Sequence, residues 1–139
     1  MVILSIDYGT KNIGLAVSDE TEFISAPLPI HINYGDERAA LELAETIKKQ
    51  RVEKIVLGLP MKKDEQGLEI ETQMTKQIKK FAELLAQASG LQPMFWDESF
   101  SSSSVESKLR GKKIKASDSI VAAKLLQEYL DYQREFKKQ

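Results

Sequence analysis

The chain has 139 residues, 42% of them hydrophobic and 29% charged, and a formal net charge of −1. That is the balance of an ordinary globular protein with enough chain for a full core, and it advertises no global attraction to nucleic acid, so any such contact must come from local basic patches. Cysteine is absent, which excludes disulfides, thiolate-bound zinc and Cys nucleophiles and fits a reducing compartment.

No apolar run approaches the ~20 residues of a membrane span. Met1 leads straight into an apolar segment without the basic start or cleavage site of a signal peptide. A cytoplasmic protein with no membrane partner is expected. Length and the lack of repeats or linkers point to a single domain over residues 1–139.

Val2-Ile3-Leu4-Ser5-Ile6 reads as a strand buried on both faces, ending in Asp7. Tyr8 to Asn12 is a turn, and from Ile13 to Ser18 apolar residues alternate with Gly14, Ala16 and Ser18, a strand with one small-residue face. Asp19-Glu20-Thr21 turns the chain into a third strand between Phe23 and Ile30, which Pro27 and Pro29 mark as ragged and near an edge. His31 to Asp36 is read as a loop, with Asp36 as N-cap of a helix that sets Ala40, Leu43, Ala44 and Ile47 on one face. Ile55 to Leu59 is a second fully apolar strand, stopped by Pro60.

Met61 to Glu69 is polar and reads as a loop. Ile70, Met74, Ile78, Phe81 and Leu85 step by four, four, three and four, predicting a helix that ends before Gly90. Met94-Phe95-Trp96 is a short strand running into Asp97-Glu98. A serine-rich stretch, Ser99 to Ser104, precedes a short helix near Val105 and Leu109, and then a flexible basic loop from Lys108 to Lys115. Ser117 begins a final helix with Asp118, Ala122, Leu125, Tyr129 and Tyr132 on one face. Three antiparallel strands followed by helical crossovers to parallel strands give an α/β fold. It is a mixed five-stranded sheet with helices on both faces, the ribonuclease-H-like arrangement.

Carboxylates end three core elements: Asp7, one of the pair Asp97-Glu98, and Asp118 at the head of a buried stripe. Alternation puts Met94, Trp96 and Glu98 on one side of their strand and Phe95 and Asp97 on the other, so only one of that pair faces a given site. Bare carboxylates at core positions are costly to desolvate and repel one another. A divalent cation with oxygen ligands reverses that penalty, and the chemistry implied is metal-assisted phosphodiester hydrolysis by Mg²⁺ or Mn²⁺. His31 has no second histidine and no serine–acid pair at a useful spacing, and Trp96 reads as core.

Asp7-Tyr8-Gly9-Thr10-Lys11-Asn12-Ile13-Gly14-Leu15-Ala16, Leu57-Gly58-Leu59-Pro60, Asp97-Glu98 and Asp118-Ser119-Ile120-Val121-Ala122-Ala123, in that order over nearly the whole chain, resemble the YqgF/RuvX family. These are Holliday-junction-resolvase-like nucleases implicated in maturing the 5′ end of pre-16S rRNA. The resemblance implies that Asp7, Glu98 and Asp118 are the acidic triad, both catalytic and metal-holding. It also implies that Thr10, Lys11 and Asn12 lie in the turn beside the metal, with Lys11 and the turn amides able to meet a phosphate. The chain departs from the family at Ser99, where an Arg is common, and a serine cannot make the bidentate phosphate contact of an Arg.

Positive surface for nucleic acid is expected from Lys62 and Lys63 after Pro60, and from Lys108, Arg110, Lys112, Lys113 and Lys115. Contacts of this type read charge and shape, and weaken with salt. Structured RNA is the expected partner, with branched DNA the other candidate, and the chain acts as a monomer or a homodimer. Two readings compete with a nuclease: an RNA-binding ribosome-assembly factor that keeps the fold without catalysis, and an ATP-binding protein suggested by Asp7-Tyr8-Gly9-Thr10. An actin-like nucleotide cleft needs two such domains facing each other, whereas this length holds one.

Overall fold

A computed structural model describes residues 1–98 and 118–137. The elements run β1 (Val2–Asp7), β2 (Asn12–Ser18), β3 (Ser25–Ile32), α1 (Asp36–Lys49), β4 (Val52–Leu59), β5 (Lys62–Lys63), β6 (Glu69–Ile70), α2 (Gln73–Ser89), β7 (Met94–Asp97) and α3 (Asp118–Lys137). Five strands form one sheet in the order β3-β2-β1-β4-β7. β1 pairs antiparallel with β2, and β2 with β3, whereas β4 lies parallel to both β1 and β7. This is the expected mixed α/β sheet.

The two faces carry different side chains. Leu4, Ile6, Ile13, Leu15, Ile55 and Leu57 project to one side and pack on Ala39, Ala40, Leu43 and Ile47 of α1 and Ile78, Phe81 and Leu85 of α2. Ile3, Ala16 and Val56 project to the other and pack on Ala122, Leu125, Leu126, Tyr129 and Leu130 of α3. Period-two alternation assigns β1 its two sides, so Asp7 falls with Ile3 and Ser5 on the α3 side while Tyr8 joins the α1/α2 core.

Local expectations are corrected in five places. Asp36 is the first residue of α1 rather than its N-cap; Gly35 takes the cap at φ 136, because the Asp36 carboxylate is occupied by the Tyr8 hydroxyl at 2.8 and 3.0 Å. His31 belongs to β3, not to a loop, and its Nε2 lies 3.4 Å from Glu42 Oε1 on α1. The stretch after Pro60 contains a two-stranded hairpin, β5–β6, closed by Asp64, whose Oδ1 accepts from the amides of Gln66 and Leu68 at 2.9 Å each.

Ile70 lies in that hairpin, so α2 starts later than its apolar spacing suggests, at a Thr72–Thr75 capping box. It ends at Gly90 as expected. Tyr132 is 49% exposed rather than buried; its ring packs at the margin of the α3 core on Trp96 and Phe136, at 5.2 and 4.4 Å between centroids. The expected short helix near Val105 and Leu109, the basic loop from Lys108 to Lys115, the Ser117 helix start and the Ser99 departure lie outside the described residues.

Candidate active site

The site forms where β1 and β7 end and α3 begins, and small residues on one face of the sheet bring the helix there. Ser5, Gly14, Ala16, Ser18 and Gly58 are all buried. A Cβ at Gly14 would overlap the backbone carbonyl of Asp118. One at Gly58 would lie 2.9 Å from Leu125 Cδ1 and 3.4 Å from the Glu98 carboxyl carbon. Neither glycine has an unusual backbone; each is needed because another group occupies the space a side chain would take.

Hydrogen bonds fix the docked helix. Ser5 Oγ donates to the Ala122 carbonyl at 2.7 Å, and the Leu15 amide donates to Ser119 Oγ at 3.2 Å. Farther along, Ser25 Oγ donates to the Ala123 carbonyl at 2.7 Å. The Leu15 bond is available because β2 and β3 lose register between Ile13 and Leu15. Asp118 is thereby held against Gly14, and Gly14 is the register partner of Asp7.

Glu98 reaches the same place from β7. Met94 and Trp96 pack into the α3-side core while Phe95 packs into the other, so alternation aims Glu98 toward α3. The strand pairing ends at Leu59 and Asp97, and the Glu98 amide continues it by donating to the Leu59 carbonyl at 3.0 Å.

Asp7, Glu98 and Asp118 are each half-buried. The Asp7 carboxyl is pushed up from 3.8 to about 9, first by burial, then by its hydrogen bond to Glu98, then by the negative charges of Glu98 and Asp118. At neutral pH it is protonated and bonded to Glu98 with Asp118 within Coulombic reach. Among the described residues no three acidic or histidine side chains already surround a common point; these three are neighbours, not a finished cage. They nonetheless fit a hard divalent cation. The donor set is oxygen only, and the proton on Asp7 neutralises the crowding that a cation would neutralise instead.

The turn from Gly9 to Asn12 borders the site, with Thr10, Lys11 and Asn12 exposed. Asn33 clamps it: its amide donates to the Lys11 carbonyl at 2.9 Å and its Nδ2 to the Gly9 carbonyl at 3.0 Å. The Asn33 Nδ2 also donates to Asp36 at 3.1 Å, and Gln77 Nε2 donates to the Tyr8 hydroxyl at 2.8 Å. Burial, followed by the hydrogen bond to Asp36, raises the Tyr8 phenol to about 12, so it stays a donor. Lys62 and Lys63 are exposed on the hairpin after Pro60, and Lys108, Arg110, Lys112, Lys113 and Lys115 lie outside the described residues.

Sequence reading alone missed the Tyr8–Asn33–Asp36–Gln77 network, because its members are far apart in the chain and each has an ordinary local role. The small-residue face of β2 was the visible sign of the α3 contact, but not of Asp118 against Gly14.

A family model described as RuvX, Holliday junction resolvase, matches residues 1–132. The chain belongs to the RuvX family of resolvase-like nucleases. Relatives named "Putative pre-16S rRNA nuclease" include one from Protochlamydia amoebophila, 36% identical over 93% of this chain and 92% of the relative. Another, from Caldanaerobacter subterraneus, is 36% identical over 96% and 99%. Among solved structures, T. thermophilus RuvC in complex with a Holliday junction substrate matches at TM-score 0.58 and 13% identity over 96% of each chain. The Fowlpox virus resolvase with Holliday junction DNA matches at 0.54 and 15%, over 95% of this chain and 98% of that one. At such identities these two structures support the ribonuclease-H-like fold of this RuvX member. No helix among the described residues is long and apolar enough to cross a membrane.

Proposed function

We infer that this RuvX chain is a cytoplasmic, divalent-metal-dependent endonuclease that hydrolyses phosphodiester bonds in structured RNA. Its setting would be 5′-end processing of pre-16S rRNA, with branched DNA of the Holliday-junction type as the other substrate. The observation that carries this reading is the Asp7–Glu98 hydrogen bond with Asp118 alongside. Three acids gathered at the ends of separate elements cost stability, and stability does not explain them. The names of the relatives support RNA as the substrate.

Asp7, Glu98 and Asp118 would hold Mg²⁺ or Mn²⁺. The chemistry such an ion supplies when bound is activation of water and neutralisation of charge on the departing oxygen. Asp7 would release its proton to solvent on becoming a ligand, and the negative charges of Glu98 and Asp118 would favour holding a cation beside it. Thr10, Lys11 and the turn amides would orient the phosphate beside the acids. Lys62, Lys63 and the cations Lys108, Arg110, Lys112, Lys113 and Lys115 would hold flanking backbone.

The test is cleavage of a labelled pre-16S 5′ leader, and in parallel of a four-way DNA junction, with Mn²⁺ and with EDTA. Wild type is expected to cut only with Mn²⁺. Asp7→Asn should lose at least ~10²-fold of that rate, the loss of several kcal/mol of charge stabilisation, while remaining folded by circular dichroism. Undiminished cutting by Asp7→Asn refutes the site assignment. Binding of the leader with no metal-dependent cut assigns the chain to RNA binding without catalysis.

A further inference from the structure

On the side of the sheet away from Asp118, a groove opens between the N-terminal halves of α1 and α2, lined by Gly35, Asp36, Glu37, Arg38, Lys76, Gln77 and Lys80. We propose that this groove is a second nucleic-acid subsite. It would take the phosphodiester backbone of the strand that leaves the catalytic edge across the Gly9–Asn12 turn.

The charge on α2 is the first reason. From Gln73 to Ala82 the helix holds Lys76, Lys79 and Lys80 and no acid, and its first turn contains no acidic residue. Lys76 lies in the first turn, where a cation works against the helix dipole, so helix stability does not account for it. Lys79 lies 3.4 Å from Glu71. Among the described residues neither Lys76 nor Lys80 has an ion pair, and their four-residue spacing puts both on one helix face, toward the groove.

The floor and walls are the second reason. The half-buried Asp36 carboxylate accepts from the Tyr8 hydroxyl at 2.8 Å and from Asn33 Nδ2 at 3.1 Å. These neutral donors fix its direction but leave its charge, which the cations of the walls must outweigh. Arg38 on the facing wall is steadied by the Tyr34 ring, 4.9 Å from its guanidinium carbon, and by Glu42 at 3.5 Å. In the lining Arg38, Lys76 and Lys80 outnumber Asp36 and Glu37, and such a surplus of cations suits a polyanion, whose contacts are made through phosphates rather than bases.

Continuity with the site is the third. Tyr8 follows Asp7 directly and points to the opposite face, and its hydroxyl bonds to groove residues on both helices, Asp36 and Gln77. Asn33 ties the same floor to the turn that carries Thr10 and Lys11. A strand held beside the acids would reach the groove by crossing that turn. This inference rests on the nuclease reading, and adds where the substrate goes beyond the cleavage point.

The experiment is fluorescence anisotropy in EDTA, with a labelled RNA hairpin carrying a single-stranded tail and with a labelled four-way DNA junction. Lys76→Gln/Lys80→Gln is compared with wild type and with Lys48→Gln/Lys49→Gln, which removes equal charge from the far end of α1. The groove variant should bind both probes about tenfold more weakly and lower the salt slope of log K by about 2, roughly one per lost phosphate contact. The control should stay within about twofold of wild type. Equal binding by wild type and the groove variant overturns the proposal, as does an equal loss in the control. Wild type that binds through the groove but never cuts with Mn²⁺ would fail the nuclease reading alone; wild type that binds neither probe fails both.

Discussion

The two faces of the sheet are built for different ends. Toward α1 and α2 the strands present Leu4, Ile6, Leu15, Ile55 and Leu57, and large aliphatic side chains interlock with Leu43, Phe81 and Leu85. Toward α3 they present Ser5, Gly14, Ala16 and Gly58, and the helix comes so close that Asp118 backbone lies where a Gly14 side chain would be. The first face gains stability from buried apolar area. The second gives up part of that gain to bring a helix start and two strand ends together. Close approach, rather than apolar volume, is what gathers the acids.

Mutations can separate the two roles. Leu43→Ala, on the α1/α2 face, should cost about 2–5 kcal/mol by chemical denaturation and leave cleavage per folded molecule unaltered. A matching loss of specific activity would show that the faces are not independent.

The acids supply a pH test of similar size. Asp7 holds its proton up to about pH 9 when folded, against 3.8 as the ordinary value, so the folded chain binds that proton more tightly than the unfolded one. The stabilisation is complete below about pH 4 and is lost progressively as pH rises through 9, a change on the order of a few kcal/mol. The Tm of metal-free protein should fall over that range. Asp7→Asn should flatten the fall, and Mn²⁺ should raise the Tm of wild type most at the alkaline end. A metal-free Tm that climbs between pH 5 and 9, in wild type but not in Asp7→Asn, contradicts the assigned environment.

Gly14→Ala attacks the close approach itself. Its methyl meets backbone, which cannot rotate away, so a loss of about 1–3 kcal/mol is expected, with metal-dependent cleavage falling further than stability explains. Gly58→Ala meets the end of Leu125 and should cost less. Ser119→Ala removes the acceptor of the Leu15 amide and should cost about 1 kcal/mol, with cleavage reduced because Asp118 is less firmly placed. Tyr8→Phe is the mildest: about 1 kcal/mol from the lost bonds to Asp36 and Gln77, read out as a raised KM with kcat nearly kept, because the hydroxyl braces the groove and the turn rather than the acids.

Much of this was legible in the chain. β1 and β4 are nearly unbroken apolar runs, which only a strand buried on both sides requires. The spacing of Ile78, Phe81 and Leu85 placed most of α2, and alternation put Met94, Trp96 and Glu98 together on one side of their strand, which the structure shows to be the α3 side. Local signals failed where a distant partner overrode them. Asp36 looks like a cap until Tyr8 takes its carboxylate, and Tyr132 looks buried until only Trp96 and Phe136 are found to cover it.

By itself, the sequence determined the four longest strands of the sheet's core and the three helices in outline, that Asp7 ends a core strand, and that Asp118 leads a helix stripe, because burial periodicity is written into neighbouring residues. Only the tertiary structure decided that Asp118 lies against Gly14, that Glu98 bonds to Asp7, and that Tyr8 joins α1 to α2. Those contacts join residues dozens of positions apart, and their energies depend on distance and desolvation, which chain order does not record.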